Sequence, residues 1–213
     1  MVVVTHRLLH RLSNKHPLAT AKKRARQDLE ALWQQVFAGN VEFVTSDHSP
    51  SPLEMKAGDD FFRVWGGISG CQNMLNVMLD EGYHERGFPI ERLAALTSET
   101  VADRFGLPGK GHLQVGSDAD LALVDLDSDF TLRAEDLFYR HAISPFIGRP
   151  FRGSVVRTVV RGTTVVRDGR IVSEPVGRFI KPSRRFSATP GVGAGQAGQS
   201  SQTSGTRGGD VMK

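Results

Sequence analysis

Residues 41–50 read Val-Glu-Phe-Val-Thr-Ser-Asp-His-Ser-Pro, and they follow a segment, 21–38, in which Leu29, Leu32, Trp33 and Val36 recur at helical spacing. Apolar residues at i, i+3, i+4 and i+7 make one buried stripe of a helix. Gly39 is placed to close that helix as a left-handed cap. Val41, Phe43 and Val44 then form a short apolar run that reads as a strand. A helix followed directly by an apolar strand suits an α/β unit with a parallel strand. The polar run Asp47-His48-Ser49-Pro50 would fall at the C-terminal end of that strand, where barrel enzymes place their chemistry.

Downstream the chain stays helical as far as Gly106. A loop rich in Pro, Gly and acid leads to Trp65-Gly66-Gly67-Ile68-Ser69-Gly70, which is expected to open a helix ending near Glu81. Ile68, Cys71, Leu75 and Met78 share one face of it, so Cys71 is expected to be buried. Another helix is expected from Ile90 to Phe105, with Ile90, Leu93, Ala94, Thr97, Val101 and Phe105 on its apolar face and Gly106 and Pro108 ending it. From Gly109 the period changes. Leu121-Ala122-Leu123-Val124, Ser154–Arg161 and Thr163–Arg167 read as strands, and Asp168-Gly169 is a hairpin turn before Ile171-Val172.

Charge is distributed unevenly. Residues 1–26 carry seven basic and no acidic side chains, 27–180 fifteen basic and twenty-two acidic, and 181–213 five basic and one acidic. The middle is therefore acidic, and the net +4 comes from the ends. A nucleic-acid-binding module needs a basic folded face, so no nucleic-acid partner is expected. No apolar run reaches the roughly 18 residues of a membrane span, so no membrane partner is expected. The lone Cys71 cannot pair within the chain, which suits a reducing, cytoplasmic location. His6 and His10 lie four apart, as paired zinc ligands do, but no acidic or third ligand is near and a solvated basic segment is the expected reading. The same segment has the acid-poor character of a transit peptide but little serine. After Pro182, Gly, Ser, Thr and Gln dominate, which is the composition of a disordered tail.

Asp47 is the candidate functional carboxylate. Ser-Asp-x-Ser-Pro after a strand is also a common Asx-type turn, and spacing alone leaves both readings open. The strings around it narrow the choice. Ser46-Asp47-His48-Ser49-Pro50, then Glu54-x-Lys56, then Trp65-Gly66-Gly67-Ile68 resemble the allantoinases within the dihydroorotase-like cyclic amidohydrolases. So do Gly109-Lys110-Gly111 with Val115-Gly116-Ser117-Asp118-Ala119-Asp120-Leu121, and Tyr139-Arg140-His141 with Ser144-Pro145-Phe146-x-Gly148-Arg149. The resemblance runs from about residue 21 to 182.

That resemblance implies a fold and a chemistry. The fold class is α/β: residues 21–108 as the C-terminal end of a (β/α)8 barrel, 109–181 as part of a small β-sandwich, with a non-matching basic segment at 1–20 and the tail at 182–213. The implied activity is metal-dependent hydrolytic opening of allantoin to allantoate. Dihydropyrimidine, another hydantoin or dihydroorotate are the alternative substrates, against which the Tyr139–Arg149 string argues. The implied cofactor is a pair of divalent ions, zinc first, and the intact family forms homo-oligomers. Asp47 matches the family's metal-binding and proton-transferring aspartate and Ser49 a substrate-contacting position, while the backbone of Gly66 and Gly67 either approaches the ring as a substrate-binding element or forms a plain turn before a helix. The family's other ligands include a His-x-His, and none occurs in this sequence. A full barrel needs about 250 residues. A chain inactive alone is therefore expected, its Leu29–Trp33–Val36 stripe and Val41–Val44 strand uncovered, and pairing with a complementary chain is the non-catalytic alternative.

Overall fold

The computed structural model describes residues 19–57 and 63–183. The basic segment with His6 and His10, part of the acidic loop, and the Gly- and Ser-rich tail lie outside the described residues.

Helix α1, Ala19–Phe37, is the expected amphipathic helix. Trp33 and Val36 are buried, Leu29 and Leu32 are partly so, and Gly39 follows at φ +80°. The stripe is not left uncovered. It packs on Met78, Leu79, Phe88, Leu93 and Leu96, because the following helical segments fold back across it. The same cluster takes in Val41 and Val44, and Phe43 is buried beside Phe105 with ring centroids 5.8 Å apart. Residues 41–44 form no strand ladder. A strand is defined by its neighbour, and among the described residues none lies alongside: Val44 N–H reaches Leu96 O of a helix at 3.0 Å.

The second helical segment starts later than the sequence pattern implies. Residues 65–70 are irregular, and α2, Met74–Val77, begins only after a turn at Cys71-Gln72-Asn73, then runs into a π-helical stretch, Met78–His84. Cys71 thus sits in the turn ahead of the helix and is exposed, not buried on its apolar face. The third segment spans its expected range as α3, Ile90–Ala94, a π-helical turn, Ala95–Glu99, and α4, Thr100–Phe105, with Gly106 as a left-handed cap. A π turn takes up an extra residue and so rotates the face that follows it. The buried residues are Leu93, Leu96 and Ala102, whereas Ala94 and Phe105 are exposed.

The C-terminal segment is one antiparallel sheet, β1 (Leu121–Thr131), β2 (Pro150–Val160), β3 (Thr163–Arg167) and β4 (Arg170–Ile171), in sequential order. Two tight turns build it. Val160 pairs with Thr163 around Arg161-Gly162, and Arg167 pairs with Arg170 around Asp168-Gly169. All four turn residues have positive φ, between 46° and 81°, the geometry that matches strand twist in two-residue hairpins. The sheet packs on helices. Val124 and Leu126 join the α1 core, while Phe130 and Phe151 join Val77 and Phe146 in a second cluster. The Lys110 and Asp118–Asp120 string is structural here: the Lys110 ammonium pairs with Asp118 and Asp120, and Asp120 accepts the Arg161 N–H at 2.7 Å, tying the loop ahead of β1 to the β2–β3 hairpin turn.

Candidate functional site

The candidate site is built where residues 45–50 leave the core. Val44 is buried; Asp47 and His48 are exposed, and Ser49 is half-buried. Asp47 takes φ 44°, a left-handed conformation that turns the chain sharply. Aspartate tolerates that region better than most residues because its short side chain bonds locally.

Three of the strings singled out in the sequence meet at this turn. His48 Nδ1 accepts the N–H groups of Gly70 (3.2 Å) and Cys71 (3.4 Å), and its ring packs on Tyr139, centroids 4.9 Å apart. The Ser49 N–H donates to Ile68 O at 2.8 Å, and the Trp65 indole N–H donates to Ser49 O at 3.3 Å. Ser49 and Gly67 are pressed together: a Cβ on Gly67 would lie 2.3 Å from Ser49 Oγ and 2.7 Å from Ser49 O. Only glycine permits that approach. Gly66 is different. It is exposed, with nothing near the position of a Cβ.

Lys56, quoted in the sequence without a role, closes the neck of the intervening loop. Its ammonium donates to Gly67 O and, at 3.3 Å, to Trp65 O, while the Trp65 N–H donates to Met55 O at 2.7 Å. Burial holds the Lys56 ammonium below its usual pKa. Tyr139 is the second unforeseen member. Its Oη accepts the Gln72 N–H at 2.6 Å, and the Gln72 side chain donates to Asp136 O at 2.7 Å and accepts the Phe138 N–H at 2.9 Å. Burial raises the Tyr139 pKa, and the Gln72 amide pulls the other way. The signal for Tyr139 was its membership of the Tyr-Arg-His string; the signal for Gln72 was absent.

The structure thus brings Ser49 and Gly67 into contact and sets Asp47 one residue before the anchored His48. It gives Gly66 no partner. His112 lies outside this turn, with Nε2 3.0 Å from Asp103 Oδ1. His84 also lies outside it, and its Nε2 is buried without a hydrogen-bond partner. The two divalent ions implied by the resemblance do not fit the described residues. Among them no three His, Cys, Asp or Glu side chains gather as a metal-holding group, and His48 Nδ1 is already occupied by backbone donors. A catalytic zinc draws three ligands from protein. Asp47 offers one carboxylate.

A model of the amidohydrolase family, described as "Amidohydrolase family", matches residues 51–166. The allantoinase of Rubrobacter xylanophilus is 63% identical over 161 residues, covering 76% of this chain and 36% of that protein. The allantoinase of Desulfitobacterium hafniense is 51% identical over 151 residues, 71% of this chain and 33% of that protein. Among solved structures, the L-hydantoinase (dihydropyrimidinase) of Arthrobacter aurescens superposes with a TM-score of 0.70 at 37% identity, covering 73% of this chain and 35% of that one. The D-hydantoinase of a Thermus species gives 0.65 at 30% identity, over 68% of this chain and 32% of that one. The chain therefore spans about a third of the length of the relatives it matches.

Proposed function

Because the chain belongs to the amidohydrolase family, we propose that it is the C-terminal portion of an allantoinase-type cyclic amidohydrolase, the end of a (β/α)8 barrel with part of its β-sandwich. The reaction is addition of water to a ring amide carbonyl of allantoin, cleavage of that C–N bond, and release of allantoate. Asp47 takes the proton from the attacking water and returns one to the leaving nitrogen. A carboxylate in contact with the attacking water does this work best. Ser49 and the backbone at Gly66 and Gly67 line the place where the ring sits. The observation that carries the reading is the meeting of three separate strings at one sharp turn carrying Asp47: the Ser49–Gly67 contact, the His48–Gly70 bond and the His48–Tyr139 packing. Identity to relatives named allantoinase, up to 63%, exceeds that to the hydantoinases, 37%, and favours allantoin over other hydantoins.

The family's divalent-metal chemistry needs ligands beyond those described. On this reading the hydrolytic centre needs ligands beyond the described residues, and the chain is expected to be inactive alone. The partners are the small-molecule substrate and other subunits, and the setting is cytoplasmic. Among the described residues no helix is long and apolar enough to cross a membrane.

The test has two arms. The purified chain is assayed for allantoin opening with zinc, cobalt or manganese; turnover would sink the claim of inactivity. The chain is then combined with a polypeptide that carries the missing ligands, and Asp47→Asn is compared with wild type. A loss of about a hundredfold or more is expected for a lost acid–base group. An Asp47→Asn complex as active as wild type would sink the assignment of Asp47.

A further inference from the structure

Asp47 holds a left-handed backbone conformation, φ 44°, that L side chains rarely adopt. The residue after it, His48, is tied to distant parts of the chain. His48 is fixed by two separate parts of the chain. On one side its Nδ1 accepts Gly70 N–H at 3.2 Å and Cys71 N–H at 3.4 Å, from the turn ahead of α2. On the other its ring lies on Tyr139, with 42° between planes.

Tyr139 is itself held, because Gln72, next to Cys71, donates its N–H to Tyr139 Oη and spans Asp136 O and Phe138 N–H with its side chain. The turn ahead of α2 and the loop after β1 thus close on one imidazole. Since Nδ1 accepts, the neutral ring carries its proton on Nε2.

We propose that His48 is the positioning residue of the site, pinning the left-handed backbone of Asp47 and so aiming its carboxylate, with Gln72 and Tyr139 as the brace that holds the pin. The proposal rests on the reading of Asp47 as the proton-carrying group, but its test does not. The full chain, labelled with 15N, is studied by NMR. Expected are a ring protonated on Nε2 at His48, slowed hydrogen exchange at the Gly70 and Cys71 amides, and couplings at Asp47 that report positive φ. His48→Ala should speed exchange at Gly70 about tenfold or more and shift the Asp47 couplings toward negative φ. His48→Asn should restore both, because an amide oxygen can stand where Nδ1 accepts. Tyr139→Phe should keep the His48 tautomer and speed exchange at Gln72.

A His48 ring protonated on Nδ1 in the wild type would overturn the proposal. So would Asp47 couplings unchanged in a folded His48→Ala chain. If His48→Ala does not fold, failure of His48→Asn to keep the Nδ1-type protection at Gly70 overturns it instead. An Asp47→Asn complex that remains active would sink the catalytic reading and leave these NMR results standing; the two failures are separate.

Discussion

Arg149 and Glu81 lie 68 residues apart in the chain and meet at 2.6 Å, the Arg149 Nη2 also reaching Asp80 at 2.7 Å. Arg149 ends the Ser-Pro-x-x-Gly-Arg string, packs its guanidinium over Phe151 at 4.9 Å, and leads directly into β2. Glu81 is shared with Arg86, which continues to Glu30 on α1 at 2.7 Å. One chain of charges therefore ties α1, the π-helical end of the second segment and the sheet, beside an open cavity of about 820 Å³ lined by the same groups.

Arg149→Met should destabilise the chain by about 2 kcal/mol, the range for losing hydrogen bonds to charged groups. Urea denaturation at neutral pH measures it. Methionine keeps an apolar stem but loses the guanidinium, with its ion pairs and its contact over Phe151, so a loss near zero would mean that these contribute nothing.

Burial pushes the Glu81 carboxyl up, but the hydrogen bonds and charges of Arg149 and Arg86 outweigh it and leave its pKa below the usual 4.5. The folded chain then binds fewer protons than the unfolded chain in this range. The stabilisation is complete above the unfolded value and lost as pH falls through the folded one. Denaturation between pH 6 and about 3 should show that acid loss, and it should be smaller in Arg149→Met.

His112 is raised above 6.5 by its hydrogen bond to Asp103, with Glu99 adding its charge. A raised histidine contributes stability below its unfolded pKa and loses it as pH rises through the folded one. An NMR titration should place His112 above the ordinary histidine value, and Asp103→Asn should return it downward. No change on Asp103→Asn would show that the pair does not form in solution.

Gly67→Ala should cost about 1–3 kcal/mol, because the new methyl meets the Ser49 backbone as well as its side chain. Gly66→Ala, with open space around it, should be close to neutral in the same thermal unfolding experiment. Equal effects at the two glycines would contradict the contact.

Gly169 turns the β3–β4 hairpin at φ +71°. Replacing it with alanine should cost about 1 kcal/mol, read as a lower melting temperature with the sheet otherwise intact. A stabilised Gly169→Ala chain would rule out this turn.

What the sequence determined by itself was local. The α1 stripe at Trp33 and Val36, the helical range from Ile90 to Phe105, the Gly106 cap and the Asp168-Gly169 hairpin follow from neighbours a few residues away, where periodicity and turn chemistry act. The strings around Asp47 were likewise legible as a resemblance. Tertiary structure alone decided that Cys71 is exposed, that the second helix waits until Met74, and that π turns rotate the buried face to Leu96 and Ala102. It also decided that residues 41–44 are covered by helices, with no strand beside them in the described chain. The meeting of His48 with Gly70 and Tyr139 belongs to the same class. The physical reason is distance along the chain. A hydrogen bond across twenty-two residues or an ion pair across sixty-eight leaves no period in the sequence, and exists only once packing has brought its partners together.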